Sequence, residues 1–319
     1  MDYVKNNRML SLLGQRGAFG TILYDYAQEN EKIIALTADL IRASGLERFY
    51  ENCPERCLNV GIAEQNAVGV AAGLADNNFI PFVTTFANFA AMRANEFVRH
   101  FMGYMNCNVK LVGLASGFAM ELFGNTHYGL EDIAALRAIP NITILSPSDS
   151  LEVAKCVEFC INHNGPVYLR LSGRMNNPIV NKKDYEFKAG KGLVLNDGDD
   201  AVIYATGSMV SFALKAAAEL KKTHNIAVKV VNMHTIKPFD AELVLANKDY
   251  KLILSVEEHS KIGGLGSAVA EVLASQSQHG KLIIMGTGDY YAKAGGYEYM
   301  LAQHNLTVSG IVENVLNNI

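Results

Sequence analysis

Short apolar runs bounded by polar loops recur along the chain, and segments with helical spacing fill the gaps between them. KIIALTADL (32–40), FIPFVTTF (79–86), VKLVGLAS (109–116), NITILSP (141–147) and GPVYLRLSGR (165–174) are apolar throughout rather than alternating, the mark of strands covered on both faces. Residues 17–30, ANFAAMRANEFVRHFMGYM (87–105) and SDSLEVAKCVEFCINH (148–163) read as helices. From Met175 to Lys191 the chain is polar, contains proline and loses its periodicity, as a linker does. The rhythm then resumes with DAVIYATGS (200–208), the helical FALKAAAELKKTH (212–224), IAVKVVNM (226–233), KLILSVEE (251–258), a helix after Gly266 and KLIIMGTG (281–288). Strand alternating with helix predicts two three-layer α/β domains with mostly parallel sheets, residues 1–185 and 186–319.

Composition narrows the function more by exclusion than by choice. Half of the 319 residues are hydrophobic and the formal charge is −4, with no basic run to draw in nucleic acid or an anionic membrane. No signal-peptide pattern opens the chain and no apolar stretch is long enough to span a bilayer, so a cytoplasmic location is expected. The five cysteines (Cys53/Cys57, Cys156/Cys160 and Cys107) lack zinc-ribbon spacing, and no metal site is expected among them.

Chemistry concentrates in a few polar residues set in apolar surroundings. NVGIAEQNAVGVAAGLA (59–75) places Glu64 at the start of a helix of small side chains that should pack closely on all sides. The acid is either a partner for the helix dipole or a group tuned by desolvation and a bound ligand. Phe86 and Phe89, three apart at a strand-to-helix junction, belong to the core or wall a flat heteroaromatic ring. In ELFGNTHYGLED, Gly124 and Gly129 bracket His127 in a loop that no packing argument requires. Arg16, Arg170 and Arg174 could clamp an anionic substrate or be ion-paired. KIGGLGSAVAEVL lacks the third glycine of a dinucleotide fingerprint and reads as a tight turn.

Taken together, NVGIAEQNAVGVAAGLA, TTFANF, FGNTHYGLEDIAALRAIPNITILSPSD, TIKPFD and EEHSKIGGLGSAVAEVL resemble, in order and spacing, the C-terminal part of transketolase. The resemblance spans nearly the whole chain. It implies a pyrimidine-binding domain of the thiamine diphosphate-binding fold followed by a transketolase C-terminal domain. The Gly-Asp-Gly motif with which such enzymes bind metal and diphosphate is missing from the sequence. The resemblance therefore implies an N-terminal transketolase subunit as partner, holding most of the thiamine diphosphate and Mg2+, in an α2β2 heterotetramer with this chain dimerised.

The same resemblance assigns roles. Glu64 would hydrogen-bond a pyrimidine ring nitrogen and favour the imino tautomer that deprotonates the thiazolium; the carbanion then takes a two-carbon ketol unit from a ketose and passes it to an aldose. Phe86 and Phe89 would wall the pyrimidine, with Met92 where a third aromatic is usual, and Asp39 would shape the cofactor site. His127 would serve proton transfer or oxyanion stabilisation near the reacting carbon. Arg16 and Arg174 would bind substrate phosphate, with Arg170 competing for the second position because the register slips there. Ala115 stands in place of a phosphate-binding histidine and Phe123 in place of a hydroxyl-binding aspartate, so sugar recognition should be altered. Rival readings are a deoxyxylulose-phosphate-synthase-like subunit, the β subunit of a 2-oxo acid dehydrogenase and, from a different class, a regulatory or scaffolding subunit.

Overall fold

Strands without polar alternation need cover on both faces, and the strands of the two sheets find it. The computed structural model describes residues 3–173 and 175–319. In the first sheet, β1 (Ile33–Thr37), β2 (Cys57–Asn59), β3 (Ile80–Phe86), β4 (Lys110–Ser116), β5 (Thr143–Leu145) and β6 (Val167–Ser172) run parallel. The second holds β7 (Leu193–Asn196), β8 (Ala201–Ala205), β9 (Val228–Asn232), β11 (Leu252–Ser260) and β12 (Lys281–Thr287), parallel except for β7 at one edge. Helices cover both faces, giving two three-layer α/β units as anticipated. Among the described residues, no helix is long and apolar enough to cross a membrane.

One strand breaks the simple division. β10 (Thr235–Lys237), from TIKPFD, leaves the second unit and pairs antiparallel with β5, giving the first sheet the order β10-β5-β6-β4-β3-β1-β2. A three-residue edge strand carries too little periodicity to be read in advance. The segment joining the units is tied to the first unit at Val180 and Asn181. Asp149, capping helix Ser150–Asn162, accepts from the backbone N–H groups of Val180 and Asn181 at 2.9 and 2.7 Å, and Asn7 donates to the Asn181 carbonyl at 2.8 Å.

Three helical expectations change. The first helix runs from Asn7 to Glu29, longer than 17–30, and is broken at Gly14, whose φ of 70° turns the chain just ahead of Arg16. The stretch after β3 is largely π-helical, Phe89–Arg93 and Val98–Tyr104, a wide geometry frequent near functional sites. Helix Glu64–Asp76 is buried on one side only. Glu64, Ala67, Val68, Ala71 and Ala72 face the core, whereas Asn66 and Gly73 are exposed, so the small side chains are not closely packed all round within this chain.

Arg170 is a joint, not a clamp for substrate. Fully buried on β6, it donates to both oxygens of the equally buried Asp132 (2.8 and 3.2 Å) and to the carbonyls of Gly129 and Glu258 (3.0 Å each). Buried, with Nε and Nη2 turned to acceptors inside the protein, it is withheld from a substrate anion in this chain, which speaks against its candidacy. Burial alone would raise the Asp132 carboxyl, but Arg170 and His259 hold it below the usual range. Because Gly129 precedes and Glu258 follows the linker, the guanidinium ties one domain to the other.

Removing one member of a buried ion pair strands the other charge. Arg170→Met is expected to lower unfolding free energy by about 3–5 kcal/mol, while Arg170→Met with Asp132→Leu recovers at least about half of that loss, measured by urea unfolding.

Candidate functional site

The parallel strands all end on the same edge of the first sheet, and the loops leaving that edge carry the polar residues. In an open α/β sheet this is where ligands bind. After β1 the chain turns at Asp39, held at φ 61° by a reciprocal pair: Asn59 Nδ2 donates to Asp39 Oδ1 at 2.9 Å, and Asn59 Oδ1 accepts the Asp39 N–H at 3.1 Å. Asn59 Oδ1 also accepts the Gly61 N–H at 3.0 Å, so one side chain fixes both the Asp39 turn and the approach to Glu64.

Glu64 opens its helix and is 2 % exposed. Its partner is a side chain rather than the helix dipole alone. Arg93 donates from Nη1 to both carboxylate oxygens at 2.9 and 3.0 Å, and the Thr85 hydroxyl lies 3.5 Å away. The same guanidinium lies over the Phe89 ring, 4.2 Å from its centroid. A flat, nitrogen-rich cation is thus held between the buried acid and an aromatic face. Arg93 is itself 42 % exposed, so it can leave without dragging the core with it.

Phe86, Phe89 and His127 form one aromatic group. Phe86 and Phe89 meet edge to face with centroids 6.0 Å apart, and His127 contacts them at 6.0 and 5.3 Å. Phe123 approaches His127 at 5.1 Å while staying largely exposed. His127 Nδ1 lies 2.9 Å from the Thr126 hydroxyl, which can orient the ring. Met92, beside Arg93, is exposed rather than packed into this group. Ala115 is buried near the end of β4 with φ 51°.

Arg16 lies elsewhere on the same edge. Gln15 next to it is buried, donating to the Pro147 carbonyl at 2.8 Å and accepting the Ser172 N–H at 2.7 Å, beyond the ends of β5 and β6. Arg16 lines a cavity of about 440 Å³ with Arg42, Gly45 and Gly173. Burial pulls its guanidinium below the usual arginine range, and among the described residues it has neither a hydrogen bond nor an ion pair. Arg174 lies outside the described residues.

The structure therefore brings together Glu64, Phe86, Phe89 and His127, keeps Arg16 and Asp39 on the same edge, and withdraws Arg170. Sequence reasoning missed Arg93 and Asn59. Arg93 follows Phe89 by four positions in TTFANFAAMR, the spacing of neighbours on a helix face, so a signal was present. The glycine-rich turn has a different use: the Glu257 carboxylate accepts the N–H groups of Leu265 and Gly266 at 2.7 Å each, filling with its own acid the helix terminus that a nucleotide would need.

Comparison with known proteins agrees with this architecture. The chain matches the family models "Transketolase, pyrimidine binding domain" over residues 13–178 and "Transketolase, C-terminal domain" over 190–311. It is 38% identical to a putative transketolase C-terminal section of Methanocaldococcus jannaschii, over 95% of either chain. It is 40% identical to a 6-deoxy-6-sulfo-D-fructose transketolase subunit of Clostridium sp., over 93% of this chain and 92% of that one. A solved structure, "Split gene transketolase, inactive beta4 tetramer", superposes with a TM-score of 0.85 at 38% identity, covering 95% of this chain and 97% of the other.

The two ends of the Glu64–Arg93 pair differ in exposure, so their loss should cost different amounts. Arg93→Met leaves a buried carboxylate without its cation and is expected to destabilise the chain by about 1–3 kcal/mol. Glu64→Gln leaves an arginine already open to water and should cost less than about 1 kcal/mol. Thermal and urea unfolding of the two variants would show the asymmetry.

Proposed function

Because the chain belongs to the transketolase family, we propose that it supplies the pyrimidine-side half of a ketol-transferring active site, completed by an N-terminal subunit that holds the diphosphate and Mg2+. The observation that carries the reading is the setting of Glu64: a buried carboxylate and the Phe89 face already grip a flat, nitrogen-rich group. That donor set fits an aminopyrimidine, which needs a hydrogen-bonding acid at its edge and an apolar wall beside it. Thiamine diphosphate, when bound, supplies the nucleophilic carbon for breaking and remaking a bond next to a carbonyl.

The remaining work falls to this chain. Glu64 holds a proton against a ring nitrogen, in surroundings that keep water from taking it. Phe86 and Phe89 give the ring a dry wall. His127, at the edge of the same aromatic group, is suited to pass a proton to or from a substrate oxygen. Arg16, half-buried and unpaired among the described residues, suits the anionic end of a sugar, phosphate or sulfonate, because its charge is already partly stripped of water. Asp39 keeps the first loop in shape. Phe123 offers an apolar edge where a hydroxyl-binding acid would otherwise stand, which favours substrates with fewer polar demands at that point. Substrates are thus anionic ketoses and aldoses.

Arg93 has to move for this chemistry. Its two bonds occupy both oxygens of Glu64, so the acid can meet a ligand only once the guanidinium has left. Arg93→Met is therefore expected to tighten thiamine diphosphate binding by the two-subunit assembly, by about three- to tenfold, read by calorimetric titration.

The main test is to co-express the chain with the product of a neighbouring gene for a diphosphate-binding subunit, add thiamine diphosphate and Mg2+, and screen ketose donors against aldehyde acceptors. Ketol transfer without carbon dioxide is expected; carbon dioxide release would point instead to keto-acid chemistry. Glu64→Ala should leave the assembly intact and lower turnover by at least about a hundredfold. The isolated chain should neither bind the cofactor tightly nor turn over, and Mg2+-dependent binding by it alone would sink the two-chain reading.

A further inference from the structure

The loop that carries His127 is rooted in the other domain. It leaves β4 at Ser116 and closes on itself at Gly117 and Gly129, whose backbones exchange hydrogen bonds at 2.9 and 3.3 Å. Between these points the chain makes only short turns: the Glu121 N–H donates to the Phe118 carbonyl, the Phe123 N–H to Met120 and the His127 N–H to Gly124. Turns of this kind fix local shape but not position in space, so side-chain contacts to other elements must place the loop.

Those contacts come largely from beyond the linker. Glu258, fully buried on β11, accepts the Phe118 N–H at 2.6 Å, the Tyr297 hydroxyl at 2.7 Å and the Ser208 hydroxyl. At Gly117, with φ 69°, a Cβ would fall 2.2 Å from Glu258 Oε1, so the backbone rests directly on the carboxylate. Phe118 follows into the core, edge-on to Tyr128 at 5.2 Å and stacked on His304 at 5.2 Å. Asn125 donates to the Ala292 carbonyl at 2.8 Å, again across the domain joint. From the first domain, Asn88 holds the Thr126 carbonyl at 2.8 Å.

We propose that Glu258 is a positioning residue for His127: by gripping the root of the 117–129 loop from the C-terminal domain, it sets where the imidazole stands against Phe86 and Phe89. The geometry gives the C-terminal domain a task in turnover that needs no contact with substrate or cofactor. The proposal rests on the reading of His127 given above. A buried carboxylate accepting three donors is a stiff anchor: the Ser208 and Tyr297 hydroxyls fix Oε2, and moving the loop would strip Oε1 of the Phe118 N–H. Displacing a reacting group by about 1 Å can cost about a hundredfold in rate.

The test uses the assembled two-subunit enzyme with Glu258→Gln, which turns an acceptor into a partial donor, and Tyr297→Phe, which deletes one hydroxyl. Amide exchange in residues 117–127 is expected to quicken by at least about tenfold in both, with β4 and β11 still protected. In the same variants kcat should fall by about ten- to a hundredfold, while KM for the ketose and the affinity for thiamine diphosphate change by less than about threefold. If Glu258→Gln does not fold, Tyr297→Phe carries the test alone. Unchanged exchange in a folded variant, or faster exchange with unchanged kcat, overturns the proposal. His127→Asn in parallel separates the two ideas: full turnover by that variant ends the reading of His127, yet leaves the exchange result to stand or fall as a statement about Glu258.

Discussion

A carboxylate taken out of water must be met by donors, and the architecture of this chain follows from how its buried acids meet that requirement. Asp132 is met by Arg170 and the Tyr168 hydroxyl, Glu257 by the first N–H groups of helix Leu265–Leu273, and Glu258 by a backbone N–H and two hydroxyls. These partners are buried and fixed, and burial still raises Glu257, to about 7. Glu64 differs from the other three. It too is buried, but its partner is a side chain on a long stem, partly in solvent, that can be exchanged for another. The distinction separates acids whose partners are locked into the fold from one whose partner can leave.

The same contrast explains what could be read from the sequence. The longer strands of both sheets were legible because each is a continuous apolar run, whereas the short β2 and the half-exposed edge strand β7 were not read; Glu64 stood out because an acid at the head of an Ala/Gly helix conflicts with its surroundings. Phe86, Phe89 and His127 were singled out beside Glu64 through the order of family motifs, not through local physics, and the fold brings their rings into contact. Arg170 misled because an arginine ending a strand looks alike whether it faces a ligand or an internal acid. Only the fold shows Asp132, thirty-eight positions earlier, beneath it. Arg93 went unnoticed because a basic residue on a helix after aromatic positions is common: its spacing hints at a face shared with Phe89, but its aim at Glu64, twenty-nine positions earlier, appears only in the fold.

What was least legible is the dependence of one domain on the other. β10 completes the first sheet from the far side of the linker, and Glu258 and Ala292 reach back to the loop that bears His127. None of these contacts has a periodic signal, because each is a single edge strand or a single side chain joining residues 90 to 170 positions apart. The motifs TIKPFD and EEHSKIGGLGSAVAEVL were visible as family marks, and their physical task appears only once the chain is folded.

Where such a protein can be divided follows from this interdependence. Cutting between the two domains would strip an edge strand from the first sheet, strand Asp132 and Arg170 beside an opened joint, and release the His127 loop. The relatives from Methanocaldococcus jannaschii and Clostridium sp. likewise span both domains in one chain, matched over 95% and 92% of their lengths. In this chain the two domains share the loop that bears His127, which Asn88 holds from one side and Glu258 and Ala292 from the other.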